Sequence, residues 1–238
     1  MHMDPHRIVY VIDLFGTASF AFSGAIRAVD RRPDFVGMLI LAGATAVGGS
    51  VLRDVVLHRD VMILHDYGYP LVILLSVIAT CLFPATLCRR ERVFKCFDAI
   101  GLGSFSAITA NAAWGVEGIH PLSILFVATF TGCAGGVIRD LLIQKETLVL
   151  ANELYVTPVV VGAAGLMVAR ALGLGELAGF AVAMPLAAGI RLMAIYWDWR
   201  LPRIRHFPQM TNESLIRSSS GDAQKEADTT LGRNRWTR

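Results

Sequence analysis

Apolar residues along this chain gather in seven stretches, each closed by a short polar or glycine-rich break. The stretches run near 8–29, 34–57, 69–88, 93–114, 120–143, 154–173 and 176–197. The breaks are Asp30-Arg31-Arg32-Pro33, His58 to Gly68, Arg89-Arg90-Glu91-Arg92, Gly115 to Gly118, Gln144 to Glu153 and Gly173-Leu174-Gly175. An α-helix needs about 20 mostly apolar residues to cross the hydrocarbon core of a bilayer. The pattern therefore predicts an all-α integral membrane protein with seven transmembrane helices.

Composition agrees. Of the 238 residues 54% are apolar or aromatic and 17% charged, with a mean hydropathy of +0.54, whereas soluble domains carry roughly 25% charged residues. The charges are concentrated late in the chain: residues 200–238 hold 12 of the 41. That segment, Ser-rich and poor in aromatics beyond Thr211, cannot bury enough apolar surface to fold alone and reads as a disordered cytoplasmic tail. A net charge of +3 is too small for a nucleic-acid partner. Cys81, Cys88, Cys96 and Cys133 have neither metal-binding nor disulfide spacing and read as small apolar fillers. Met1 to Arg7 lacks the basic flank and cleavage site of a signal peptide, so the first apolar run is expected to remain as a span.

Seven spans put Arg31, Arg32, Arg89, Arg90, Arg92, Lys95, Lys145, Arg200, Arg203 and Arg205 on one side, against chiefly Arg7 and Arg59 on the other. The positive-inside bias assigns the C-terminus to the cytoplasm and the N-terminus to the outside. Tyr196, Trp197 and Trp199 fit an interfacial belt closing the last span.

The chain also repeats itself. Asp13-Leu14-Phe15-Gly16-Thr17-Ala18-Ser19-Phe20 is echoed 85 residues on by Asp98-Ala99-Ile100-Gly101-Leu102-Gly103-Ser104-Phe105. Thr45-Ala46-Val47-Gly48-Gly49-Ser50-Val51-Leu52-Arg53-Asp54 is echoed 86 residues on by Thr131-Gly132-Cys133-Ala134-Gly135-Gly136-Val137-Ile138-Arg139-Asp140. The organisation read from this is a three-helix repeat over 8–90, a second over 93–173, a seventh helix over 176–199 and the tail over 200–238. Because three is odd, the second copy enters the membrane from the opposite face. Inverted repeats of this kind place solute sites between the copies, near the midplane.

The repeated residues carry the candidate chemistry. Gly48, Gly49, Gly135 and Gly136 interrupt apolar helices at a cost of about 1 kcal/mol each against Ala. They are expected either to open a helical turn, freeing carbonyl oxygens that substitute for a cation's water, or to let helices pack closely. Thr45 and Thr131, with Ser19, Ser23, Ser104 and Asn111, are polar enough to line a wet path. Asp13 and Asp98 lie inside their spans, where a charge costs roughly 2.5–3.5 kcal/mol; they either attract cations or pair with Arg139 or Arg53. On a helix Arg53 and Asp54, like Arg139 and Asp140, point about 100° apart and are not expected to pair directly. Each Arg either snorkels to the interface with its Asp in the headgroup zone or stands in a pore as a gating or charge-tuning group. Arg191 reads as snorkelling, and His58, His65 and His120 as loop residues.

The paired T-x-x-x-G-[SG]-V-[LI]-R-D segments and the D-x-x-G-x-x-S-F starts resemble the prokaryotic branch of the trimeric intracellular cation channel family, whose members include proteins with a duplicated glycine-transporter domain. The resemblance spans about residues 8 to 197. It implies a homotrimer in a bacterial inner membrane, seven helices per subunit, and a pore through each subunit lined by the Gly-rich bends of helices 2 and 5. It matches Gly48 and Gly49 to one bend, Gly135 and Gly136 to the other, and Arg53 and Arg139 to the basic residues after them. Animal members carry a Lys-rich element where this chain has Arg.

The function expected is passive conduction of K⁺ or Na⁺, with Asp13 and Asp98 raising the local cation concentration. A carrier of glycine or a similar small amino acid uses the same bends and is the alternative, and a scaffold acting through its tail is a third. No Ser/His/Asp set, phosphate loop or metal-spaced cluster is present in the sequence, so neither an enzyme nor a cofactor is expected; the partners are lipid, permeating ions and further copies of the chain.

Overall fold

The computed structural model describes residues 5–83, 91–150 and 154–199, and the expectations for the tail and for Cys88, Arg89 and Arg90 lie outside these. Among the described residues the regular structure is helical. In chain order the helices are α1 (Pro5–Ala28), α2 (Phe35–Val56), α3 (Gly68–Leu82), α4 (Glu91–Trp114), α5 (Pro121–Leu142), α6 (Val156–Ala171) and α7 (Glu176–Tyr196), with short 3₁₀ turns at Val29–Arg31 and Met62–Leu64. Five are long and apolar enough to cross a membrane. The stretches expected at 69–88 and 154–173 contribute the shorter helices α3 and α6, of 15 and 16 residues, which rise about 22–24 Å against a hydrocarbon core of about 30 Å.

Local chemistry sets the ends of α2 and α5 in the same way. Asp34 caps α2, its side chain accepting from the Gly37 amide at 2.7 Å; His120 caps α5, its ring nitrogen accepting from the Leu122 amide at 3.2 Å, with Pro121 in the first turn. At the other ends His58 and Gln144 take left-handed conformations, φ 52° and 54°. The amides of Arg59 and Lys145 then reach back to the carbonyls of Asp54 and Asp140 at 2.8 and 3.0 Å, the six-to-one bond of a Schellman turn. Arg59 and Lys145 thus leave their helices at equivalent points.

Two helix pairs cross about one pseudo-two-fold axis. In the first, Phe20 of α1 and Phe105 of α4, 85 residues apart, stack on each other at 5.3 Å and 13°. Close packing flanks them: a Cβ on Gly16 would meet the Ser104 side chain at 2.8 Å, and one on Gly101 the Phe20 ring at 2.8 Å. In the second, a Cβ on Gly49 of α2 would lie 2.5 Å from the Thr131 carbonyl oxygen, and one on Gly135 of α5 would strike the Thr45 carbonyl oxygen. The contact is reciprocal, backbone on backbone. It also sets the register between the copies: Gly49 corresponds to Gly135, while Gly48 corresponds to Ala134 and Gly136 to Ser50.

The expectation that the paired glycines open a turn is corrected by this geometry, since α2 and α5 are helical at every residue through Gly48-Gly49 and Gly135-Gly136. Their missing side chains are used for close approach instead. Around these crossings α4 is the most enclosed long helix, and large apolar side chains such as Phe35, Ile40, Phe126 and Phe130 are left on the outer surface, where a bilayer would cover them.

The kind of atom met separates the glycines experimentally. Gly49→Ala and Gly135→Ala meet backbone oxygen and are expected to lower stability by about 1–3 kcal/mol. Gly48→Ala clashes with the terminal methyl of Ile138, which can turn away, and reaches the Gly135 backbone only at an ordinary contact distance of 3.9 Å, so it is expected to cost under about 1 kcal/mol. Thermal unfolding in detergent reads the difference; equal losses at all three positions would refute the reciprocal backbone contact.

Candidate functional site

Two matching clusters of polar side chains lie at opposite ends of the α2–α5 crossing. At the first, the Arg53 guanidinium stands 3.5 Å from Asp13 of α1 and donates through Nε to Asp54 at 2.8 Å. The Tyr69 hydroxyl of α3 donates to Asp13 at 2.9 Å. At the second, Arg139 reaches Asp98 of α4 at 2.5 Å and donates through Nε to Asp140 at 2.8 Å. The Tyr155 hydroxyl lies 3.5 Å from the same Asp98 oxygen. Tyr69 and Tyr155, like Arg53 and Arg139, are 86 residues apart. In each cluster the second Asp also holds the chain that follows it: Asp54 accepts from the Met62 amide at 3.4 Å and Asp140 from the Leu148 amide at 3.1 Å.

These contacts correct three expectations. Arg and the Asp after it do pair, because the long Arg side chain folds back and brings Nε to the carboxylate. Neither Arg snorkels: Arg53 is 4% and Arg139 0% exposed. Each Asp within a span takes the pairing alternative, its partner being the Arg of its own repeat. Arg191 does not snorkel either, being 1% exposed, donating to the Leu154 carbonyl at 2.9 Å and lying 4.9 Å over the Tyr155 ring.

Burying a charge in low dielectric is tolerable only with opposite charge and hydrogen bonds around it. Each cluster supplies two carboxylates to one guanidinium, and each leaves one of its carboxylate oxygens and one guanidinium nitrogen without a hydrogen-bond partner. These are Asp13 Oδ1 and Arg53 Nη1 in the first cluster, and Asp98 Oδ2 and Arg139 Nη2 in the second. Each copy thus keeps one carboxylate oxygen and one terminal guanidinium nitrogen in reserve, although the nitrogen is Nη1 in the first and Nη2 in the second.

The surroundings of the two clusters differ. A cavity of about 630 Å³ runs from the exposed Arg59, Gly115 and Val116 down to the buried Asp13, Arg53 and Tyr69. On the Asp98 side the equivalents of its apolar lining are packed into the core: Phe94 for Val9, Ile143 for Leu57 and Leu148 for Met62. Phe94 is 1% exposed and carries the guanidinium groups of Arg27 and Arg139 over its ring at 4.3 and 4.5 Å. Ser23, at the place of Ile108, accepts from Arg139 at 2.6 Å. The first cluster therefore faces open space and the second is sealed.

Of the other candidates, Thr45 and Thr131 are buried at the crossing and bond the carbonyls of Leu41 and Val127 at 2.6 and 2.8 Å; Thr131 also meets Thr109 at 3.0 Å. Ser19 and Ser104 bond their own helices. Asn111 lines the cavity and donates to Glu176 at 2.6 Å. Sequence reasoning missed Tyr69, Tyr155 and Phe94. The tyrosines carry one signal in the sequence, the same 86-residue spacing as the arginines. Phe94 carries no such signal, because its importance lies in differing from Val9.

An all-helical chain in which one polar cluster occurs twice, at opposite ends of a two-fold crossing, is a membrane protein made by inverted duplication. The glycine transporter family model matches it twice, over residues 10–85 and 95–171. The inner membrane protein YadS of Escherichia coli, one of the UPF0126 proteins, is 34% identical over 208 residues, covering 82% of this chain and 95% of that one. Among solved structures, a cation channel of the TRIC group superposes with a TM-score of 0.74 at 31% identity, covering 82% of this chain and 97% of its own. The trimeric intracellular cation channel orthologue from Rhodobacter sphaeroides superposes with 0.75 at 28%, covering 81% and 99%. The chain belongs to this family, the prokaryotic TRIC proteins with a doubled glycine-transporter domain, which is a family of channels and not of enzymes.

The asymmetry is open to test by exchanging the residue that differs. Phe94→Val is expected to lower stability by about 2–4 kcal/mol and to open space beside Arg139. A structure of the variant in which that space stays filled would remove Phe94 as the seal.

Proposed function

We propose that this protein is a channel for monovalent cations, K⁺ or Na⁺, in a bacterial inner membrane, with one path through each subunit of a homotrimer. The path runs between the halves 8–90 and 93–173, along α2 and α5, from the Asp13 cavity past Gly48, Gly49, Thr45, Thr131, Gly135 and Gly136 to Asp98. The observation that carries the reading is the doubled cluster: two carboxylates around one guanidinium, with an unused carboxylate oxygen, at each end of the crossing. Such a group attracts a cation and offers it a hard oxygen ligand, while the fixed guanidinium prevents it from being held tightly. The likeness to TRIC cation channels supports both the ion class and the trimer.

In this conformation α2 and α5 touch through their backbones and Arg139 with Phe94 fills the Asp98 end, so the path is closed there. Conduction requires the two helices to part and Arg139 to leave Asp98, which makes Arg139, Asp140, Arg53 and Asp54 the gating and charge-tuning residues. Arg31, Arg32, Lys95 and Lys145 near the Asp98 end favour the cytoplasm for that side.

Glycine transport is the second reading. It draws on the family model's description and on the Asp13 carboxylate and Arg53 guanidinium that line the floor of the cavity, whose charges complement an ammonium and a carboxylate. One series of flux measurements on liposomes holding the purified protein separates the two. Cation conduction predicts K⁺ and Na⁺ flux with unitary current steps and little Cl⁻ flux, reduced several-fold by Asp13→Asn. Saturable glycine counterflow without unitary current would replace the channel by a carrier.

Arg139→Ala is expected to raise K⁺ leak about tenfold or more. Because it leaves Asp98 buried without a cation, at a cost of about 3–5 kcal/mol, the pair Arg139→Gln with Asp98→Asn is measured beside it. Leak unchanged in a folded double variant would take Arg139 out of the gate.

A further inference from the structure

The two ends of the molecule differ once more, outside the path. On the Asp98 side the turn joining α1 to α2 is tied to the end of α5. Lys145 Nζ lies 2.6 Å from Asp30 Oδ2, and Arg31 donates through Nη2 to the Ile143 carbonyl. Arg27 steadies Asp30 from 3.7 Å. This strap spans the two repeats, because Asp30 and Arg31 belong to the first and Ile143 and Lys145 to the second.

The duplication allows the same place to be inspected on the Asp13 side. The matching Schellman turns put Arg59 where Lys145 stands and Leu57 where Ile143 stands. The matching caps at Asp34 and His120 carry the numbering across the turns, so Val116 takes the place of Asp30 and Glu117 that of Arg31. The cation of the strap is kept, its acid has become Val, and the guanidinium donor has become an acceptor. Arg59, Leu57 and Val116 line the open cavity, whereas of their counterparts Lys145 and Asp30 pair with each other and Ile143 is buried beside a separate cavity of about 340 Å³.

We infer that the Asp30–Lys145 pair, with Arg31 on the Ile143 carbonyl, is a latch that holds the Asp98 mouth shut and sets the resting bias of the molecule, and that the Asp13 mouth stands open because its repeat lacks the acid and the donor. The latch acts on the gap between the two halves without touching a permeating ion, so these are positioning residues. Asp30 and Lys145 are 47% and 36% exposed. Their pair is therefore a weak bias, suited to an equilibrium that has to be crossed repeatedly, and its removal shifts the open-to-closed ratio about three- to fivefold.

The inference rests on the channel reading for its first measurement, which is made on the full-length protein in planar bilayers. Asp30→Asn and Lys145→Gln are each expected to raise open probability about three- to fivefold with unitary conductance unchanged. The exchanged pair Asp30→Lys with Lys145→Asp restores the original value, and salt of about 1 M reduces the differences by screening. Val116→Asp, which gives Arg59 an acid, lowers open probability. Unchanged open probability in the single variants, altered unitary conductance, or no recovery in the exchanged pair would overturn the latch.

A second measurement does not depend on current. A cysteine at Ile143, which is 5% exposed, is placed in a chain whose four native cysteines are replaced by Ala, and its reaction with a membrane-impermeant thiol reagent is timed. Asp30→Asn is expected to speed labelling about three- to fivefold, and an unchanged rate would overturn the latch. If the parent chain passes no cation current while labelling still accelerates, the channel reading fails and the latch stands.

Discussion

The backbones of α2 and α5 touch at Gly49 and Gly135, each facing the carbonyl at the other's matching threonine, and the rest of the architecture follows from that contact. No side chain fits between the helices there, so the distance between them is set by peptide groups and the contact is the same from either side. The symmetry extends outward to the stacked Phe20 and Phe105 and ends in the two clusters around Arg53 and Arg139. An axis fixed this firmly places two buried guanidinium groups at opposite ends of one crossing, with tight packing between them.

Each guanidinium would be intolerable alone in such surroundings. The Asp before it in the chain and the Asp directly after it supply the opposite charge, while a tyrosine from the third helix of the repeat adds a hydrogen bond at the first cluster and approaches at the second. The Asp after it also takes the amide of the loop beyond, so helix end, loop and charge cluster are one hydrogen-bonded unit. This explains why Arg-Asp recurs as a dipeptide: the two residues serve one carboxylate–guanidinium pair and one loop anchor, and separating them would undo both.

Function in an inverted duplication depends on how far the copies have diverged. Val9 against Phe94, Ile108 against Ser23, and Val116 against Asp30 are small differences, yet together they leave one end as a cavity of about 630 Å³ and the other as packed core. Two ends identical in chemistry would have equal energies open and closed. Divergence at the mouths gives the molecule a preferred state while the Asp–Arg–Asp core of each cluster is kept.

Much of this is legible in the chain itself. Seven apolar stretches, the 85- and 86-residue echoes and the odd number of helices per copy determine a helical membrane protein of inverted repeats, because helix length and the path of the chain across a bilayer are one-dimensional properties. The same echoes single out Asp13, Arg53, Asp98 and Arg139. What the glycines are for could not be read in that way: a missing side chain serves a bend or a close approach equally well, and only the carbonyl facing it from another helix decides. Nor could the pairing of Arg53 with Asp54, since helical angles describe where a side chain starts and a long flexible one ends elsewhere. The seal by Phe94 and the strap at Asp30 were decided by tertiary structure alone, because each depends on residues distant in the chain meeting at one end of the axis and failing to meet at the other.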